Sequence, residues 1–285
     1  MAITKETVEQ AYNYACKRIC FGDDPHAHLR RPKNQDGFDY GTINLPFRHG
    51  IEQTMPIQLR HNENDTVHTN AGWNFFVSAE QRHQVSNWCD RCGNTVFLHD
   101  CLHASVALGY NFRFEDNGRF RTEIGQLEHD AKQSGDAEAI GKIAMQMETL
   151  ISTFEPYSSA DLICSVPTQE GKDWHLPSEV AKRVSTATGK PDVTGWFLFG
   201  REKPSITNCS QKEKWDALEN TEFKDNEVDS ALKNKTVILI DDKYQSGVTL
   251  QYVASKLLER GASQIYGLCA VKTMRDDDND GPPDN

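Results

Sequence analysis

Two apolar runs separated by an amphipathic segment constrain this chain more than any other feature. Residues 236–240 (TVILI) and 265–271 (IYGLCAV) are apolar stretches of strand length. Runs without polar alternation belong to strands buried on both faces. Between them, Leu250, Val253, Ala254, Leu257 and Leu258 fall on one helical face, and Gly261 follows the helix end, where a left-handed terminus favours glycine. Strand, helix and strand in this order form a βαβ crossover, because the connection is too long for a hairpin. The expected class is therefore α/β, a mostly parallel sheet flanked by helices.

In open parallel sheets, ligands gather at the carboxyl ends of the strands. Residues 241–247 (DDKYQSG) leave the TVILI strand at such an end. Paired carboxylates at Asp241 and Asp242 can accept hydrogen bonds from neighbouring sugar hydroxyls, and Asp242 can help hold Mg²⁺. Ser246, Gly247, Val248 and Thr249 then lead into the helix. Glycine permits close backbone approach, the two hydroxyls can donate, and a helix N-terminus offers unpaired N–H groups to phosphate. An acidic turn followed by an ordinary Ser/Thr cap would look the same in part. Strand, acids, glycine and helix in register favour a phosphate-and-sugar site.

Upstream, residues 121–132 and 136–154 read as two helices around Ser134-Gly135. The second carries Ile140, Ile143, Ala144, Met147, Ile151 and Phe154 as an apolar stripe. Residues 161–166 (DLICSV) are a compact strand, followed by a helix with Ser178 as N-cap and Gly189 at its end. Residues 193–199 read as a further strand, and 201–230 as polar and mobile. Near the start, residues 5–19 read as a helix, and 21–70 as loop-rich with short strands at 42–45 and 55–59. The stretch 94–110 (NTVFLHDCLHASVALGY) reads as strand followed by helix. The expected organisation is a Cys/His-rich region over 1–115, an α/β domain over 116–275, and a disordered acidic tail over 276–285.

Residues 237–250 (VILIDDKYQSGVTL) resemble the PRPP-binding motif of type I phosphoribosyltransferases, an apolar strand followed by Asp-Asp-x-x-x-Thr/Ser-Gly-x-Thr. Three upstream segments, 126–141 (QLEHDAKQSGDAEAIG), 161–184 (DLICSVPTQEGKDWHLPSEVAKRV) and 203–223 (KPSITNCSQKEKWDALENTEF), are similar to the ComF-like branch. In the last, Trp215 and Leu218 stand where that branch usually carries Arg and Asn. The resemblance implies Mg²⁺-assisted displacement at C1 of PRPP by a nitrogen nucleophile, with release of pyrophosphate. By position, Asp241 and Asp242 would be the catalytic pair that holds the ribose hydroxyls. Ser246, Gly247, Val248 and Thr249 would hold the 5′-phosphate, with Lys243 and Gln245 as further PRPP- or phosphate-binding residues. Ser165, Val166, Pro167 and Thr168 would form the pyrophosphate loop, with Lys132 and Lys172 as contacts for anionic oxygens. Lys243 replaces the small or apolar residue expected after the acids. The same resemblance also implies a non-catalytic reading, a PRPP or nucleotide sensor or an accessory protein in DNA uptake or processing.

Nine of ten histidines and five of eight cysteines precede residue 130, so the two halves should differ in chemistry. Cys89-Asp-Arg-Cys92-Gly is a knuckle-like turn able to grip one tetrahedral metal. Cys101 and His103 would complete a structural Zn²⁺ site, with His99, Cys16 and Cys20 as further nearby candidates. Reduced, unliganded thiols are the alternative. Cys164 and Cys269 lie in apolar runs and read as buried thiols. His175 reads as a surface residue, and Trp174, Trp196 and Trp215 as packing residues.

A net charge of −11 argues against broad nucleic-acid binding, which runs on excess Lys and Arg. Arg30-Arg31-Pro32-Lys33 reads as a solvated loop. No apolar run reaches the ~18–20 residues of a membrane helix, and the charged amino end is unlike a secretory signal. The expected setting is cytoplasmic. The expected partners are PRPP and an unidentified acceptor, with a homodimer left open.

Overall fold

A computed structural model describes residues 2–22, 28–30, 40–55, 66–69, 72–78, 80–115, 118–201, 206, 209–225 and 229–274. The sequence expectations for 31–33, 56–59 and 276–285 lie outside the described residues. The longer helices are α1 (Lys5–Tyr12), α2 (Arg82–Cys92), α3 (Glu123–Ser134), α4 (Ala137–Thr153), α5 (Leu176–Thr188), α6 (Gln211–Glu219) and α7 (Val248–Glu259). The main sheet contains β1 (Arg18–Cys20), β2 (Val96–Leu98), β3 (Ala104–Ala107), β4 (Leu162–Ser165), β5 (Thr236–Tyr244) and β6 (Gln264–Lys272).

These six strands lie in the order β1-β2-β3-β6-β5-β4. β3, β6, β5 and β4 are mutually parallel, while β1 and β2 add an antiparallel edge. The βαβ unit is formed as its sequence pattern requires: β5 pairs in parallel with β6, from Thr236↔Gln264 to Tyr244↔Lys272, and α7 connects them. Ile238 and Ile240 pack on one face with Ile140, Ile143 and Met147 of α4 and Val180 and Val184 of α5. Val237 and Leu239 pack on the other face with Leu250, Val253 and Leu257 of α7. Between Val237 and Ile240 neither face of β5 meets water, which is why that run shows no polar alternation.

Several expectations are revised. Residues 13–19 leave the helix: α1 ends at Tyr12, and Arg18–Cys20 pair antiparallel with Val96–Leu98. Residues 94–110 make two antiparallel strands rather than strand and helix, because each finds a partner already in the sheet. The segment 21–70 contributes to a four-stranded antiparallel sheet, in which Tyr40–Leu45 pairs with Gly72–Ser78. Within 201–230, α6 and the strand Phe223–Asp225 are ordered elements, held by Trp215 and Leu218 in the second core cluster. His175, not Ser178, is the N-cap residue of α5, while Gly189 ends that helix at φ 72° as expected. No described helix is long and apolar enough to cross a membrane.

Leu239 is fully buried on the central strand. Leu239→Ala is expected to cost about 2–5 kcal/mol, the range for an aliphatic core truncation that leaves a cavity. Urea denaturation should show a lower midpoint with an unchanged slope.

Candidate functional site

Strand lengths create the site. β4 ends at Ser165, opposite Ile240, and the Val166 N–H donates to the Ile240 carbonyl at 2.8 Å. β5 continues for four more residues, Asp241 to Tyr244, paired with β6 on its other side. The sequence places a loop directly after Ile240. The structure instead carries both acids on this one-sided strand extension, because β6 is long enough to pair with it. Ser165, Val166, Pro167 and Thr168 therefore leave the sheet next to Asp241 and Asp242, at the carboxyl edge where strand topology concentrates ligand sites.

The side chains around the acids form a charge cluster. Asp242 Oδ2 is ion-paired and hydrogen-bonded with Lys132 Nζ on α3. Asp241 Oδ1 accepts the Asp242 N–H at 2.9 Å, which turns its carboxylate back along the strand. Lys243 Nζ lies 3.2 Å from Glu128 Oε1, and Lys132 Nζ lies 3.9 Å from the same oxygen. The Glu128 oxygen has no aligned hydrogen bond, so these contacts are ion pairs only. Burial alone lowers the pKa of Lys132. The neighbouring carboxylates of Asp242, Glu128 and Asp241 outweigh it and hold the ammonium above the ordinary lysine value.

Glu128 is 1% exposed and was not singled out by the sequence reading. Its signal was available: it shares the inward face of α3 with Ile124 and Ala131, all three buried. A charged residue in apolar register is the informative exception. The alternation of β5 also shifts here. Ile238 and Ile240 belong to one core cluster and Tyr244, an even-numbered residue too, to the other. That shift lets Lys243 reach α3.

The turn after the acids is held by buried polar contacts. Gly247 adopts φ 74° as the N-cap of α7, and no side chain caps the helix. The first-turn amides are thus left for another acceptor, the arrangement that favours anions. A Cβ on Gly247 would come within 2.3 Å of the Tyr244 ring. Tyr244 in turn donates to Asp100 Oδ2 at 3.2 Å, and burial raises the pKa of Asp100. Gln251 closes the arrangement by accepting the Cys101 N–H at 3.0 Å and donating to the Gly247 carbonyl at 3.3 Å. Gln245 and Ser246 line a cleft with Tyr12, Lys17, His99 and Lys272. Its volume is about 20 Å³, room for one water.

The other expected site residues are spread more widely. Ser165 is fully buried and its hydroxyl meets Ser178 Oγ at 3.2 Å. Thr168 has a buried hydroxyl without a hydrogen-bond partner among the described residues. Lys172 is exposed, and no contact joins it to the acids. His175 Nδ1 lies 2.9 Å from Ser178 Oγ. Trp215 packs edge-on against Tyr252, with centroids 5.4 Å apart.

The expected zinc ligands are not gathered into one site among the described residues. Among the described residues, no group of three or more His, Cys, Asp or Glu could hold a metal ion. Cys89 and Cys92 lie on α2 and pack with the first core cluster, whereas Cys101 packs with the second. The sheet stands between them. His103 is engaged elsewhere, its Nδ1 accepting the Ile265 N–H at 3.2 Å. Burial pushes the Cys89 and Cys101 thiols up to about 11 and raises Cys92 further. Cys164 and Cys269 are fully buried free thiols, as their apolar runs imply.

No family model matches this chain, and no curated protein matches it. Solved structures do. A hypoxanthine phosphoribosyltransferase from Staphylococcus aureus is similar at 18% identity over 49% of this chain and 76% of that one, with a TM-score of 0.32. A hypothetical protein from Neisseria gonorrhoeae with bound ppGpp is similar at 12% identity over 52% and 74%, TM-score 0.32. The L. donovani hypoxanthine-guanine phosphoribosyl transferase is similar at 12% identity over 51% and 71%, TM-score 0.28. At these values the likeness concerns the fold at most and says nothing about what this chain binds.

Gly247→Ala is expected to cost about 1–2 kcal/mol for the left-handed backbone alone. Displacement of Tyr244 adds to that cost. Thermal denaturation checks the loss, and a variant as stable as the native chain would remove Gly247 from the account of the turn.

Proposed function

We propose that this chain binds a phosphorylated ribose of the PRPP type at the carboxyl edge of β4 and β5, and transfers ribose 5-phosphate to a nitrogen acceptor with release of pyrophosphate. The observation that carries the reading is the register Ser165↔Ile240. It sets the segment Ser165, Val166, Pro167 and Thr168 beside the two aspartates, one turn of chain before the uncapped start of α7.

In this reading Asp241 and Asp242 accept hydrogen bonds from the ribose hydroxyls. The amides of Val248 and Thr249, with the hydroxyls of Ser246 and Thr249, meet the 5′-phosphate. The orphaned Thr168 hydroxyl donates to a pyrophosphate oxygen. Lys132 moves from Asp242 to the developing negative charge of the leaving group, where a fixed cation does most for such a reaction. The two carboxylates suit Mg²⁺, which ordinarily takes one or two carboxylates plus substrate phosphates, and a bound ion would supply charge neutralisation at the pyrophosphate.

A second reading has its own support. Lys132 already occupies Asp242, and Lys243 stands where a small residue is expected. Both favour a ComF-like protein that binds PRPP or a nucleotide as a sensor or accessory, without turnover.

Calorimetric titration with PRPP and Mg²⁺ tests the shared part. Native protein should bind, and the Asp241→Ala, Asp242→Ala double variant should bind about 100-fold more weakly, the loss of two charged hydrogen bonds. Equal binding by both would reject the site. Pyrophosphate release that depends on an added base or amine decides between the readings. Lys132→Met should leave PRPP binding within about tenfold while lowering any turnover by 10²-fold or more.

A further inference from the structure

The strands Phe112–Glu115 and Gly118–Arg121 form a two-stranded antiparallel ribbon that no other strand joins among the described residues. Its base is pinned to the rim of the main sheet. The Asn111 N–H donates to the Lys272 carbonyl at 2.9 Å, Tyr110 bridges to Lys272, and the Thr122 hydroxyl donates to the Tyr110 carbonyl. The register pairs Phe112 with Arg121 and Phe114 with Arg119. Directly paired residues share a face and alternate positions repeat it, so Phe112, Phe114, Arg119 and Arg121 all lie on one side. The guanidinium groups of Arg119 and Arg121 sit 4.1 and 4.9 Å from the centre of the Phe112 ring, as that sharing requires.

The outer part of the ribbon is open to solvent. Phe114 is 66% exposed, and Phe120, on the opposite side, is 42% exposed. Among the described residues, neither Arg119 nor Arg121 has a carboxylate partner. Two arginines with no carboxylate partner among the described residues, beside an open phenyl ring, are unexpected in a chain of net charge −11.

We propose that this ribbon binds single-stranded nucleic acid, with Phe114 stacking on a base and Arg119 and Arg121 contacting phosphates and stacking on neighbouring bases. Aromatic rings and guanidinium planes interleaved on one surface are the recognition chemistry of unpaired strands. The two guanidinium groups already occupy the Phe112 ring, which leaves Phe114 as the ring open to a base on this face. The ribbon sequence also contains Glu115 and Asp116, and the rest of the chain is acidic. Binding is consequently local, short and salt-sensitive. It does not rest on the sugar-phosphate reading of the neighbouring site.

Fluorescence anisotropy with labelled dT12, U12 and a blunt duplex of equal length tests it at low salt. The single strands should saturate and bind more tightly than the duplex. Phe114→Ala should weaken them about tenfold, within the range for loss of one stacked base, and Phe114→Tyr should restore the affinity. The Arg119→Ala, Arg121→Ala double variant should flatten the dependence of log K on log salt by about 1.4, two contacts at about 0.7 each. The Asp241→Ala, Asp242→Ala variant should bind the oligonucleotides like the native chain, which separates this surface from the PRPP site. No saturation by any strand would overturn the proposal and leave the ribbon to a protein partner. Equal affinity for the duplex, or indifference to Phe114→Ala in a variant with native circular dichroism, would overturn it as well.

Discussion

β4 and β5 meet in one parallel register, Leu162↔Val237 through Ser165↔Ile240, and the positions of all the candidate residues follow from it. A slip of one residue would turn Ile238 and Ile240 toward α7 and Val237 and Leu239 toward α4 and α5, exchanging two fully buried sets of side chains. The packing of both faces thus holds the register. The register in turn ends β4 while β5 still has four residues to run, and that difference in length opens a ledge at the carboxyl edge. Asp241 and Asp242 stand on the ledge because their strand outlasts its neighbour.

The ledge is electrostatically self-contained. Two lysines and three carboxylates, Lys132 and Lys243 with Glu128, Asp241 and Asp242, lie within reach of one another. Glu128 is the costly member: a buried carboxylate is tolerated only when cations stay beside it. It holds Lys132 and Lys243 near the acids. A phosphorylated sugar would exchange these internal pairs for pairs with its own oxygens. The affinity of such a site is therefore the difference between two sets of ion pairs rather than the sum of one.

The N-terminal third takes part in the same construction. β1, β2 and β3 extend the sheet beyond β6, α1 lies against the turn at Gln245 and Ser246, and Asp100 holds Tyr244 from the loop before β3. Cys89 and Cys92, close along the chain, stay together on α2 and pack with the first core cluster, while Cys101 packs with the second.

The sequence by itself determined the βαβ unit, the helices α3, α4, α5 and α7 to within a few residues, and the adjacency of two acids, a glycine and a helix start. Each of these follows from local periodicity or from one residue's backbone freedom, which neighbours in the chain carry in full. It did not reveal that residues 96–98 and 104–107 are both strands, since a short apolar run becomes a strand only when a partner edge is available. Nor did it reveal that Tyr244 belongs to the core or that Glu128 governs two lysines. The Tyr244–Asp100 and Glu128–Lys243 contacts join residues more than a hundred positions apart. Tertiary structure alone decided them, because the energy of burying a polar group is set by what surrounds it, and no local pattern records that.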